Sequence, residues 1–298
     1  MARKRRGIPI HGWLNIDKPV GMSSAAVVGT VKRITNAQKA GHAGTLDPFA
    51  TGVLPIALGE ATKTVPYIVD DIKEYAFTAH WGAATNTDDI EGEITEKSDI
   101  RPNTQAILNI IPQFTGLITQ TPPPYSAIKI NGERAYKLAR KGIDFIMPQR
   151  NVTIHTLTLE KHVDDDHTAF HVQCSKGTYI RALARDMALA LGTVAHLSQL
   201  RRTKVGPFLE KSAISLDKLQ KLWQCPAEFV DLLPLTTALD DIPAVAISET
   251  QADRVRHGND VAVPNIADGI VCAMDREDPV SISRVEDGIL YPVRVFNI

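Results

Sequence analysis

The sequence predicts a mixed α/β protein with a small, mainly β domain at its C-terminus, and three observations carry that prediction. KEYAFTAHWG (73–82) and the run Phe170, Val172, Cys174 alternate apolar and polar residues with the period of a half-buried strand. SSAAVVGTVKRIT and TYIRALARDMALALG instead repeat their apolar residues at helical spacing. After about residue 240 the chain breaks into short Val/Ile-rich runs separated by Gly, Asp, Asn and Pro, the pattern of a small β domain over 241–298.

Taken in order, residues 1–10 form a basic tail that either touches phosphates or is merely solvated. A helix follows, with Ser23 or Ser24 as its N-cap and Val27, Val28, Val31 and Ile34 on one face. In KEYAFTAHWG, Tyr75 begins the apolar face that continues through Phe77, Ala79 and Trp81. TPPPYSAIKINGERAYKLARKGI opens on a proline run, turns at Asn131-Gly132 and continues with Arg134, Lys137, Arg140 and Lys141, which reads as a protruding loop and a short basic helix. The strand ending at Cys174 passes through a turn at Lys176-Gly177 into a helix whose stripe is Ile180, Leu183, Ala184, Met187 and Leu191, with Gly192 placed to end it. Arg181 and Arg185 lie off that stripe, one turn apart.

Composition narrows the classes of function. At 298 residues the chain is long enough for two domains, and 44% hydrophobic with 22% charged residues is ordinary for a soluble protein. No apolar run is long enough to span a bilayer, and MARKRRGIPIHGW has no hydrophobic stretch after its basic residues, so the expected location is the cytoplasm. Cys174, Cys225 and Cys272 are far apart and form no CxxC pair, so reduced thiols are expected. The net charge of -1 argues weakly against a polyanionic partner. Its distribution argues the other way: Lys and Arg outnumber Asp and Glu nine to three over residues 1–63, six to two over 125–150 and seven to two over 176–211. Three basic segments are what one polyanion-binding face would collect.

The stretch GHAGTLDPFATG (41–52) holds three glycines and one carboxylate, Asp47, with no Lys or Arg to pair it. It contains neither GxxxxGK[ST] nor GxGxxG, which removes support for nucleotide hydrolysis and dinucleotide binding. His167, His171 and Cys174 lie near Asp164–Asp166, but on a strand the two histidines stand about 13 Å apart at ~3.3 Å per residue, too far to share an ion. No metal site is expected. An Asp-Pro pair often just starts a turn. Alternatively, the glycine-flanked loop holds Asp47 rigidly so that its carboxylate projects into a cleft. An aspartate ionised at neutral pH suits a nucleophile better than an acid. Glycoside hydrolysis usually recruits two carboxylates. A reaction that breaks and remakes a glycosidic bond without consuming water needs only one.

These residues carry a resemblance. GHAGTLDPFATGVLPIALGEATK resembles the catalytic motif of the TruB family, pseudouridine synthases that modify the T-arm loop of tRNA. LNIDKPVGMSS resembles the family's KPxG motif, PPPYSAIKINGERAYKLARKG its RNA-contacting insertion (about 120–150), and SKGTYIRALARD and LSQLRRTKVGPF its later active-site segments. The resemblance implies a pseudouridine synthase fold with a largely antiparallel central sheet over residues 11–240, and a PUA-like RNA-binding domain over 241–298. It implies that Asp47 is the nucleophile, that Tyr75 stacks on the target base, and that Arg181 pairs with the aspartate. It further implies that Tyr179 and Leu200 line the uracil pocket, that His42 enters the RNA loop where the target base was stacked, and that Lys18 and Pro19 support the active-site loop. Without the resemblance, Tyr75, Tyr179 and Leu200 pass for core residues, Arg181 for a surface helix residue and His42 for a turn residue. The implied activity is conversion of uridine 55 in the T loop to pseudouridine, by a monomer with tRNA as partner and no cofactor. The alternatives are a guide-RNA-directed synthase and an RNA-binding folding factor with secondary catalysis.

Overall fold

The computed structural model describes residues 7–69, 72–224 and 231–298. The alternating segment expected to be a strand is one: Lys73–Trp81 buries every second side chain, starting with Lys73 and Tyr75. It lies inside a ten-stranded sheet, counted among the described residues. The order is Leu232–Leu233, Gly12–Lys18, Thr51–Leu58, Ala195–Val205, Lys73–Trp81, His167–Cys174, Arg150–His162, Gly116–Gln120, with Phe208–Leu209 and Ala40–His42 paired off that path. Ala195–Val205 pairs with Thr51–Leu58 in parallel, and among the described residues the other strand pairings of this sheet are antiparallel. The expectation of a largely antiparallel sheet in a mixed α/β fold holds.

Helices form where the apolar stripes predict them. Ser24–Thr35 is capped by the Ser23 hydroxyl, which accepts the Ala26 N–H, and Val27 and Val31 are buried. Ile180–Ala190 buries Ile180, Leu183, Ala184 and Met187, and Gly192, at φ 71, turns the chain out of it. Both helices pack on one continuous core with Leu14, Ile16, Leu54, Phe77 and Phe170. In the insertion, Asn131-Gly132 closes a two-residue hairpin between Lys129–Ile130 and Glu133–Arg134, and the basic helix is Ala135–Arg140.

The C-terminal region is a curled sheet in the order Ala244–Ala246, Gly269–Asp275, Asp278–Glu286, Ile289–Val295, Val261–Ala262. One helix, Glu249–Arg256, starts in a Ser248/Gln251 capping box and packs over it. This region has its own core, with Val245, Val255, Val271 and Leu290. Cys272, Ile282 and Phe296 belong to a second core shared with Trp13, Phe208 and Leu239. Glu60 and Lys63 tie the two regions together, Glu60 accepting the Asn297 N–H at 2.9 Å and Lys63 donating to Val295 O at 2.7 Å.

Cys174 and Cys272 are buried free thiols, and Cys225 lies outside the described residues, as do residues 1–6 of the basic tail. Among the described residues no helix is long and apolar enough to cross a membrane. His167 stacks on His80 and bonds Asp164, in the acidic turn that leads into its strand.

Candidate active site

The loop around Asp47 is held from three sides. Lys18, fully buried, donates to the carbonyls of Pro19, Met22 and Pro48 at 2.9, 2.7 and 3.0 Å. Ser24 Oγ accepts the Leu46 N–H at 2.8 Å and donates to Leu46 O at 3.0 Å. Arg202, 1% exposed, donates to Val53 O at 2.8 Å and Gly44 O at 3.1 Å. Close approach of the chains requires glycine at 52: its φ is +97, and a Cβ there would sit 2.2 Å from Arg202 O. The loop is therefore anchored mainly through its carbonyls, leaving the Asp47 carboxylate to face the cavity.

The missing cation is Arg181. Its Nε lies 3.0 Å from Asp47 Oδ2 and its Nη1 3.1 Å from Asp89 Oδ2. Its remaining donors reach Thr87 O at 2.8 Å and Tyr125 O at 3.0 Å. The Nε–H does not point along the line to Asp47, so this contact is an ion pair and not an aligned hydrogen bond. The side chains of Arg181 and Asp89 are each 4% exposed, whereas that of Asp47 is 34% exposed. Arg181 is no surface residue: two carboxylates and two carbonyls surround its buried guanidinium, and of its nitrogens only Nε finds no aligned acceptor.

Asp47, Tyr75, Tyr179, Arg181 and Leu200 line one cavity of about 250 Å³. A cavity below the ~300 Å³ expected for drug-sized ligands suits a single base. It opens beside a larger hollow of about 780 Å³ that shares Asp47 and Arg181 and adds His42, Tyr125, Arg134, Tyr136 and Arg140. Tyr75 follows Lys73 on the buried strand face and is paired with Arg202 on the neighbouring strand. Tyr179 stands immediately before the helix that carries Arg181, with the Arg150 guanidinium 5.6 Å over its ring. Lys18 and Pro19 lie behind the loop and line neither hollow.

Burial pushes the Asp47 carboxyl above the ordinary carboxylate range; the Arg181 guanidinium opposes this, the Asp89 carboxylate adds to it, and the Lys18 ammonium opposes it. Water reaching the exposed third of the side chain also favours the anion. Burial lowers Lys18 to about 8, against the pull of the Asp47 and Glu91 carboxylates. His42 is held neutral-leaning by burial and by Arg202, and burial raises the phenols of Tyr75 and Tyr179, which stay protonated.

Sequence reasoning missed Asp89 and Arg202. Arg202 had a readable signal, since it follows Leu200 by two residues and so shares its strand face. Asp89 had none, because Asp88-Asp89 in NTDDIEGE looks like any acidic turn.

Fold and site together describe a base-sized pocket with one carboxylate, one arginine and two tyrosines, beside a basic hollow. The family model for the N-terminal domain of TruB family pseudouridylate synthases matches residues 32–180, and that for the C-terminal domain of tRNA pseudouridylate synthase B matches 181–240. The chain is 47% identical over 309 residues to tRNA pseudouridine synthase B of Caulobacter sp. (strain K31), covering 100% of both proteins. It is 50% identical over 307 residues to the protein of the same name from Bradyrhizobium diazoefficiens, covering 100% of this chain and 88% of that one. Two solved structures share the fold. A chain from an H/ACA RNP bound to a substrate RNA containing 2′-deoxyuridine has a TM-score of 0.75 at 26% identity, covering 100% of this chain and 92% of that chain. One from a Cbf5-Nop10-Gar1 complex has 0.74 at 30%, covering 96% and 84%. The chain belongs to the TruB family of pseudouridylate synthases.

Proposed function

We propose that this chain converts uridine 55 in the T-arm loop of tRNA to pseudouridine, with Asp47 as nucleophile and no cofactor. The observation that carries the reading is the meeting of Asp47, Arg181, Tyr75, Tyr179 and Leu200 in one base-sized cavity. In the reaction the C1′–N1 bond breaks, the base rotates, and C1′–C5 forms. The C5 hydrogen is lost and N1 gains a proton, so no water is consumed. Asp47 attacks the target nucleotide, and Arg181 holds its carboxylate ionised and aimed. Tyr75 stacks on the base, Tyr179 and Leu200 wall the pocket, and His42 fills the place that the base leaves in the loop. Lys18 and Pro19 support the loop from behind.

Taking a base out of its stack costs a few kcal/mol, and stacking on an aromatic ring returns roughly 1–3 kcal/mol per base. Arg134 and Arg140 beside the pocket suit the phosphates on either side of a flipped nucleotide. The domain reading is a catalytic unit over 11–240 and a PUA-like RNA-binding unit over 241–298, acting as a monomer in the cytoplasm. The likeness to an H/ACA protein favours a second reading, a synthase directed by guide RNA and partner proteins. The insertion, with its hairpin and basic helix, supports the stand-alone form because it gives the chain its own grip on a stem-loop.

The test is tritium release from a tRNA transcript labelled at uridine C5, by the purified chain alone and by Asp47→Asn. Release from one T-loop uridine by the wild type only is expected. Release that depends on an added guide RNA supports the second reading, and tight tRNA binding without release by either protein leaves a binding or folding role.

A further inference from the structure

The insertion leaves the central sheet after Gln120 and returns at Arg150, and these two residues face each other across the strand pair. Bonds from this root run to the turn and helix that carry Tyr179 and Arg181. Gln120 is fully buried, and its amide brackets the backbone of one residue: Oε1 accepts the Tyr179 N–H at 3.1 Å and Nε2 donates to Tyr179 O at 3.3 Å. Thr121 O accepts Arg185 Nη2 at 2.7 Å, and Tyr125 O accepts Arg181 Nη2 at 3.0 Å. Between those two carbonyls lie Pro122, Pro123 and Pro124, whose rings fix φ, so the segment is a stiff strut and not a slack tether.

Arg185 has two further attachments, the nearer in sequence being Asp186, whose Oδ1 accepts the Arg185 Nε–H at 3.0 Å. Arg185 Nη1 lies 2.8 Å from Asp88 Oδ2, and Asp88 is in the left-handed region at φ 59. The residues flanking this strained turn are Thr87, whose carbonyl holds Arg181, and Asp89, whose carboxylate pairs with it. One guanidinium thus links the root of the insertion to the turn that anchors Arg181, and a planar, five-donor fork can bridge two such acceptors at fixed geometry.

We infer that Gln120 and Arg185 are positioning residues that couple the insertion to the Asp47–Arg181 pair, so that RNA seated against the insertion sets the aim of the catalytic carboxylate. The Arg181 Nε–H is 3.0 Å from Asp47 without being aligned on it. A small rotation of the guanidinium converts this ion pair into a directed hydrogen bond. The strut supplies the lever, because it holds Arg181 through Tyr125 at one end and Arg185 through Thr121 at the other. The inference rests on the reading of Asp47 as the nucleophile.

The experiment compares Arg185→Met, Arg185→Lys, Asp47→Asn and wild type in single-turnover tritium release across pH, with tRNA Kd and thermal melting measured alongside. For Arg185→Met a loss of rate of about tenfold is expected, on the scale of misplacing a reacting group, with Kd within about twofold of wild type. Its acid limb should move to higher pH, since Arg181 sits less firmly on Asp47 and lowers its pKa less. Arg185→Lys, which keeps the charge on Asp88 but cannot fork to Thr121, should fall between the two. A folded Arg185→Met with wild-type rate and acid limb overturns the inference. So does a rate that falls only with melting temperature while the acid limb stays put, because that is a structural role. Wild type without tritium release overturns the functional reading and this inference together, whereas an active wild type with inactive Asp47→Asn and unaltered Arg185→Met overturns the inference alone.

Discussion

Arg181 stands between two carboxylates, with Nε 3.0 Å from Asp47 Oδ2 and Nη1 3.1 Å from Asp89 Oδ2. One guanidinium serves both, so replacing it by a point charge forfeits the geometry even when the charge remains. Arg181→Lys is expected to reduce kcat about 100-fold while the chain still binds tRNA, because an ammonium cannot bridge the two carboxylates at the geometry of the guanidinium. Single-turnover rates beside tRNA Kd values check this, and an unchanged kcat would show that the arginine acts only structurally.

Asp89 raises the Asp47 pKa by repulsion. Asp89→Asn removes that repulsion while the Thr87 and Tyr125 carbonyls still hold Arg181 beside Asp47, so the acid limb of kcat should move to lower pH. The rate on the plateau should fall by about tenfold as Arg181 loses an anchor. The pH–rate profile of the variant decides, and a limb moving upward contradicts the electrostatic account.

Lys18 carries a pH signature in stability. Its folded pKa of about 8 lies below the ordinary 10.5. Between those values the unfolded chain binds the extra proton, so this group's contribution to stability grows as pH rises through the window. Lys18→Met lacks that slope and leaves three carbonyls without their donor, for a loss of roughly 2–4 kcal/mol at neutral pH. In urea titrations the gap between wild type and variant should widen from pH 8 to pH 10, and a gap that narrows would refute the sign.

Gly52→Ala places a methyl group 2.2 Å from Arg202 O at a φ of +97. A loss of about 2–4 kcal/mol is expected, together with loss of catalysis as Arg202 and the Asp47 loop shift. Denaturation midpoints and tritium release measured on the same preparation test both parts.

The local elements were legible because side-chain period reports which face is buried. Tyr75 to Trp81 and Ile180 to Leu191 could be read that way, while the N-cap was narrowed to Ser23 or Ser24 and the structure makes it Ser23. The motifs also named a set of site residues that the fold brings together, Asp47, Tyr75, Tyr179, Arg181 and Leu200. Asp89 escaped because it owes its place to a partner far away in the chain, Arg181, and Arg185 was legible only as lying off the apolar stripe, with no sign of its distant partners Thr121 and Asp88.

By itself the sequence determined the alternation, the helical stripes, the glycine at 52 and the family. Tertiary structure alone decided how charge is satisfied. A buried guanidinium must find its acceptors wherever the fold brings them, and here they come from three separate loops around Asp47, Asp89 and Tyr125. Hydrophobic periodicity is a local property of a helix or strand, whereas the pairing of buried charges depends on which segments meet in space.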